Sequence, residues 1–434
     1  MIFNLPPILG LFPLLLYIVL AFKKDMHPIV NVAICVLVGA IMTQQPIGKL
    51  GAIIYESMGS FLALVGFIIM LGSGLGMVLR KTGVATNIVY VLMRKIGVKT
   101  QKRAIASTMV CSVTLTTLLG TLAGSNAIIA PIVIPLVATV GLTPSTLAVI
   151  FQGAGQTGLF LSPFSPPMVT MMGITGLSYP QILLCAGLPI AVVMWIGTYF
   201  IALKVQKETE GKEDFGSENL AFDPNYTPDL ATKNATTAFL ISMALLVIYG
   251  IIAKGGASFV ILVMIIAALV TGLAGKMSAG AIFDAIMEGC GKLFWLFFMF
   301  LLFNPFLNFV TASGAFDALV GMVQPYISVG GKAGFAMITT LIGIFGINGA
   351  AVAQAVMIDK LFNPFLDGMG ISMQLWAMIV LVGHQITSYA YPGLDMIGQM
   401  GLAHSKNVKA MLKLAYMAII PSTLLVVIIA SFIL

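Results

Sequence analysis

Stretches of about 20 apolar residues, each long enough to cross a bilayer core as a helix, recur along nearly the whole chain. They fall at about 7–22, 29–44, 58–79, 104–140, 144–176 and 180–203, and resume at 235–252, 257–275, 291–312, 333–366, 373–403 and 408–434. Only 9% of the 434 residues are charged and 59% are hydrophobic, against about 25% charged in soluble domains. The runs are continuous and do not alternate with period two, which excludes a porin-type barrel. The sequence therefore predicts an all-α membrane protein.

The first run, Pro7 to Phe22, lacks a preceding basic residue and is followed by Lys23 and Lys24 where a cleavage site would need small residues, so it reads as a retained helix. Cys35, Cys111, Cys185 and Cys290 are scattered through apolar segments without CxxC spacing, and read as packing residues. The stretch 204–233 holds seven acidic residues and no long apolar run. It reads as a solvated linker between an N-terminal half, 1–203, and a C-terminal half, 234–434.

Segments 104–140 and 333–366 are too long for one crossing and too short for two. Each has small residues near its middle, Gly124-Ser125-Asn126-Ala127 and Gly346-Ile347-Asn348-Gly349. A re-entrant helical hairpin fits both, with turns at those positions, because non-helical backbone at membrane depth survives only against protein or a wet cavity. With both termini outside and the linker in the cytoplasm, 18 of the 22 basic residues fall inside, as the positive-inside rule requires of an inner-membrane protein. The net charge of +7 thus speaks of topology and not of nucleic acid. Two further segments, 84–96 and 279–288, mix polar and apolar residues at helical spacing; they read as helices along the cytoplasmic interface or as connecting helices packed on the bundle.

The halves align with each other. Thr117-Leu118-Leu119-Gly120 meets Thr340-Leu341-Ile342-Gly343, Thr82-Gly83 meets Ser313-Gly314, and Gln156 and Gln385 each stand seven residues before a proline, Pro163 and Pro392. Each half then has five crossings and one hairpin. An odd number of crossings makes the repeat inverted, and interrupted segments at matching positions point to a transport site near the midplane.

A helix that stops inside the membrane exposes N–H groups at one end and carbonyls at the other. The first end suits an anion; freed carbonyls and small hydroxyls suit Na+. In the first half the candidates are Ser125 and Asn126 at the hairpin, then Gln152, Gln156, Ser162 and Ser165 around Pro163, Pro166 and Pro167, which no helix carries through. In the second half they are Asn348 and Gly349 with Gln354, then His384, Gln385, Thr387, Ser388 and Asp395 around Pro392. An ionised Asp at the centre of a membrane helix costs about 2.5–3.5 kcal/mol on insertion scales, so Asp395 and His384 are functional candidates. The alternatives are a hydrogen-bonded structural imidazole for His384 and a place near the cytoplasmic interface for Asp395. Asp359 and Lys360 read as a local ion pair or an outer-interface pair. Gly153–Gly158 matches GxGxxG but follows no strand, so it is not a dinucleotide site, and Gly72 with Gly76 reads as a helix-crossing pair.

Gly-Ser-Asn-Ala at 124–127 followed by Pro131 and Pro135 resembles the Ser-Asn-Thr hairpin motif of divalent-anion/sodium symporters, with Ala127 in place of the threonine and only Asn348 kept in the second hairpin. The plan as a whole resembles the ion transporter superfamily, which includes citrate, C4-dicarboxylate and NhaC-type sodium/proton families. The resemblance implies that Ser125, Asn126 and Asn348 touch solute or coupling ion, and that the breaks at 161–165 and 387–391 complete two cation sites.

Solute contacts are thus expected from Ser125, Asn126, Gln156, Asn348, Gly349, His384 and Gln385. Cation contacts are expected from Ser125, Asn126, Ser162, Ser165, Asn348, Thr387, Ser388 and Asp395. No cofactor is expected beyond Na+ or H+ as coupling ion; the partners are a small-molecule solute and the bilayer, with a homodimer left open. No enzyme motif of the HExxH, GxSxG or P-loop kind occurs, nor an acidic ring for a cation pore. Between cation-coupled symport of a small organic anion, such as a carboxylate or amino acid, and Na+/H+ antiport, the sequence favours symport. It has no acidic residue between Glu56 and Glu208, whereas an antiporter exchanges protons and sodium on buried carboxylates. The orientation is checked with Ser217→Cys: an impermeant thiol reagent should label it in inverted vesicles and leave it unlabelled in intact cells, and labelling in intact cells would reverse the topology.

Overall fold

The structure, a computed structural model, describes residues 6–21, 26–216, 226–327, 330–346 and 351–434. Among these residues there is no strand. The first half runs through α1 (Phe12–Ala21), α2 (Pro28–Met42), α3 (Leu50–Glu56), α4 (Phe61–Lys81) and α5 (Val84–Ile96). It continues through α6 (Gln101–Leu119), α7 (Leu122–Ala138), α8 (Pro144–Leu161), α9 (Pro166–Thr175) and α10 (Tyr179–Thr209). The second half holds α11 (Leu230–Ile252), α12 (Phe259–Ala274), α13 (Ala279–Ala312), α14 (Ala315–Ile327) and α15 (Gly331–Ile344). It ends with α16 (Ala351–Phe362), α17 (Met373–Gln385), α18 (Thr387–Ala390), α19 (Leu394–Leu402) and α20 (Val408–Ile433). Five of these helices are long and apolar enough to span a bilayer outright: α4, α10, α11, α13 and α20.

Two local features occur in both halves. Gly83 and Gly314 both stand at φ +72°, each ahead of a short helix, α5 or α14. Only a residue without Cβ turns the chain this way cheaply. The last helix of each half contains a π-type turn, Leu183–Gly187 or Ala415–Ile419, and a proline two residues later, Pro189 or Pro421. Proline lacks the N–H that an α-helix would use there, and a wider turn takes up the mismatch.

Three sequence expectations change. The first hairpin breaks at Gly120–Thr121, ahead of the expected turn: Gly120 adopts φ +66° and Gly124–Ala127 lie inside α7. Segment 279–288 is no separate interfacial helix but the start of α13, 34 residues without interruption. Asp359 does not pair with Lys360. Its Oδ1 accepts from Trp376 Nε1 (2.8 Å) and Asn363 Nδ2 (2.9 Å), while Lys360 reaches Asn308. An indole N–H buried in an apolar helix needs an acceptor, and the carboxylate supplies it.

The residues from the last turn of α10 onward also do more than link. Glu213 accepts from the Ser145 N–H (3.1 Å) and Oγ (2.8 Å) in the first turn of α8, and from Asn407 Nδ2 (3.4 Å) before α20. Lys413 pairs with Glu208, and Gln101 Nε2 donates to Glu210 (2.6 Å). An anion on a helix N-terminus is favourable, so the acidic stretch ties the ends of α6, α8 and α20 together.

Two helices form the centre. α8 is buried from Pro144 to Phe160, and α17 from Leu375 to Gln385. Away from them α4 and α13 pack backbone against backbone: a Cβ on Gly289 would lie 2.3 Å from the Ser73 carbonyl oxygen and 2.6 Å from Gly74 Cα. Gly289→Ala is therefore expected to lower stability in detergent by about 1–3 kcal/mol, the usual cost of overpacking. Gly291→Ala, with open space around it, should be neutral or slightly stabilising. Equal unfolding midpoints for the two variants would contradict the packing.

Candidate functional site: the seam between two broken helices

At the first break, Ser162–Ser165 between α8 and α9, the carbonyls released by the helix end find partners within the chain. Gly158 O accepts from the Ser162 N–H (3.0 Å) and Thr117 Oγ1 (3.3 Å). Leu159 O accepts from Ser165 Oγ (2.6 Å), and Leu161 O from the Tyr179 hydroxyl (2.8 Å). Ser162 and Ser165 are fully buried. Leu159 O and Leu161 O each keep a second lone pair, so the break remains an oxygen-rich place whose geometry is set by hydroxyls. The first hairpin rests on it: a Cβ at Gly120 would lie 3.1 Å from the Phe164 carbonyl oxygen.

At the second break α17 stops at Gln385, the chain makes one turn as α18 and, past Pro392, resumes as α19. Ser388 Oγ donates to Gln385 O (3.0 Å), and the Tyr416 hydroxyl to Ala390 O (2.5 Å). Tyr391 donates to Gly346 O, at the end of the first arm of the second hairpin. Thr387 is buried with its hydroxyl unpartnered. His384 is fully buried and its Nδ1 lies 2.6 Å from Val380 O. A carbonyl only accepts, so Nδ1 carries the proton and Nε2, which has no partner, is the free nitrogen.

Amides join the halves along one face of α8. Gln156 Nε2 donates to Ser388 Oγ (3.0 Å), and Gln156 Oε1 accepts from Gln385 Nε2 (2.6 Å). Gln152 Nε2 donates to Ser388 O (3.2 Å), and the Tyr389 hydroxyl to Gln152 O (3.1 Å). Asp395 stands in the first turn of α19, beside the Gln156 amide. One turn back along α8, Asn126 Nδ2 donates to Phe151 O (3.0 Å) and to Gln399 Oε1 (2.7 Å), while its Oδ1 accepts from Ser112 Oγ (2.7 Å). Gly155 permits this approach, since a Cβ there would lie 2.4 Å from Leu122 Cδ1 and 2.9 Å from Asn126 Nδ2. The glycines of the GxGxxG stretch thus serve close packing.

Of the residues singled out in the sequence, Asn126, Gln152, Gln156, Gln385, Ser388 and Asp395 come together along this seam. Ser125 does not join them; its hydroxyl turns back to Thr121 O (2.6 Å). Ser162 and Ser165 stand at the first break, and His384 and Thr387 at the second. Asn348 and Gly349 lie outside the described residues. Sequence reasoning passed over Ser112 and Gln399. Gln399 is a fully buried amide in an apolar helix, the same signal that marked Gln156, but it lies seven residues beyond Pro392.

A family model described as the Na+/H+ antiporter family matches residues 7–205. Among solved structures, the YdaH transporter of Alcanivorax borkumensis, described as having an unusual topology, is similar over 94% of this chain and 97% of its own, with TM-score 0.57 and 13% identity. No curated protein matches. The chain is a multi-pass membrane protein with the fold of a secondary transporter.

If the seam holds the halves together, Gln156→Ala should cost about 1–2 kcal/mol in unfolding from detergent, the scale of polar contacts between membrane helices. Thr157→Ala removes only a hydroxyl bonded within its own helix, to Gly153 O, and should cost less than half as much. Indistinguishable midpoints would remove the seam's role.

Proposed function

We propose that this protein is a secondary active transporter that couples a cation, Na+ or H+, to the movement of a small organic solute bearing a carboxylate. The observation that carries the proposal is the make-up of the seam. Neutral amides from both halves meet beside one carboxylate, Asp395, at the start of an interrupted helix. Amides recognise a polar organic group by donating and accepting at once, whereas a site made only for Na+ needs oxygens alone. Ser125, Ser162, Ser165, Thr387 and the carbonyls near them are the oxygens from which a cation site would be drawn, with Asp395 supplying the charge.

A second reading, Na+/H+ antiport, is favoured by the family match over residues 7–205. Against it stands the absence of any acidic residue from Ser57 to the end of that matched segment, which leaves the proton exchange to groups of the other half, Asp395 foremost. A fixed cation ligand stays ionised throughout the cycle, while a proton exchanger has to release and regain its proton each time. The two roles separate experimentally. In proteoliposomes, uptake from a panel of carboxylates and amino acids should depend on a Na+ or H+ gradient, and Asp395→Asn should weaken uptake and cation dependence together, by about tenfold or more. Na+-driven proton efflux without organic solute, measured by pH-jump fluorescence and lost in Asp395→Asn, would replace symport with antiport.

A further inference from the structure

The direction of a buried amide is fixed wherever one end faces a backbone carbonyl, because a carbonyl can only accept. Asn126 meets this condition: the end 3.0 Å from Phe151 O has to be Nδ2. The same Nδ2 lies 2.7 Å from Gln399, so the Gln399 atom facing it has to be the acceptor, Oε1. Asn126 Oδ1 is taken by Ser112 Oγ. Asn126 thus has both protons and its oxygen engaged within the protein. Gln399 is left with an amino group, Nε2, that is buried and has no partner. Gln152 shows the opposite polarity: its Nε2 is committed to Ser388 O, and its Oε1 is buried without a partner.

We propose that Gln399 binds the carboxylate of the transported solute, and that Asn126 is a positioning residue that sets the direction of the Gln399 amide. Gln152 Oε1 supplies the complementary acceptor, for an ammonium or hydroxyl of the same solute. The solute class is then a small carboxylate carrying a hydrogen-bond donor, such as an amino acid or hydroxy acid. The proposal rests on the seam being the solute site. Neither free atom has accessible surface, so this conformation is closed over them, and the solute reaches them when α19 parts from α7 and α8. An unpaired buried donor is costly, and a carboxylate oxygen removes that cost.

The test uses the purified full-length protein and two fragment probes, acetate and methylammonium, titrated against the thermal unfolding midpoint. Acetate should raise the wild-type midpoint. Gln399→Glu keeps an oxygen for Asn126 but replaces the amino group with a second oxygen, so its acetate affinity should fall about ten- to hundredfold while its methylammonium response persists. Gln399→Met, of similar volume and without polar atoms, should lose the acetate response as well, and serves if the glutamate variant does not fold. Asn126→Asp accepts at both ends and draws the Gln399 amino group towards itself, so acetate affinity should fall in that variant too. Combined with Gln399→Glu it should add no further loss, since the two act through one group. A further loss in the double variant would make Asn126 a direct ligand. An undiminished acetate response in both Gln399 variants, or none in the wild type, overturns the assignment. Uptake plays no part in these readings: a protein that binds acetate through Gln399 yet moves no solute in vesicles would overturn the transport reading and leave this one standing.

Discussion

A helix that stops inside a bilayer has no water to receive its last carbonyls, and each buried carbonyl left unpaired costs free energy. The architecture is organised around that constraint. In each half the last long helix sends a tyrosine hydroxyl to a carbonyl at the break, Tyr179 to Leu161 and Tyr416 to Ala390. Serines placed a few residues away take others, Ser165 to Leu159 and Ser388 to Gln385. Both tyrosines stand on helices that are themselves long and apolar enough to cross the membrane.

Bringing those partners within reach requires close helix approach, and this explains the glycines. Gly158 lets the Thr116 side chain and the Val113 carbonyl come near, and Gly343 and Gly383 meet backbone to backbone in the second half. With the gap closed, side chains on α8 touch the second break directly, and the groups that meet are neutral amides. Amides suit such a place: they satisfy donors and acceptors in a dry interior without the desolvation cost of ions. They also let the contact between halves be exchanged for contact with a polar solute at small net cost.

Charges sit at the margins. Glu213 covers the N-terminus of α8 and reaches Asn407 of the other half, and Lys413 pairs with Glu208. Lys81 pairs with Glu288 at 2.6 Å, where both side chains are nearly half exposed, so that pair contributes little to stability. Asp395 is the exception in position: it opens α19 beside the amide seam, where a helix N-terminus favours its negative charge.

The sequence by itself determined the class of fold, because long continuous apolar runs have few solutions and a bilayer crossing by helices is the one that pairs every backbone group. It determined where helices break, since Pro163, Pro166, Pro167 and Pro392 cannot be carried through, and it marked Gln156, Gln385 and Asp395 as polar residues at membrane depth. It misplaced the first hairpin turn, because Ser125 and Asn126 have turn propensity that the α7 packing overrides, while Gly120 supplies the left-handed residue. Only the tertiary structure decided which amides face one another. That Asn126 spends its amide on Phe151 and Gln399, and that Gln399 belongs to the seam at all, depends on the approach of α7 and α19 to α8, a contact between segments some 270 residues apart. Local propensity carries no record of such pairing, because the hydrogen-bond direction of an amide is set by whatever the fold puts in front of it.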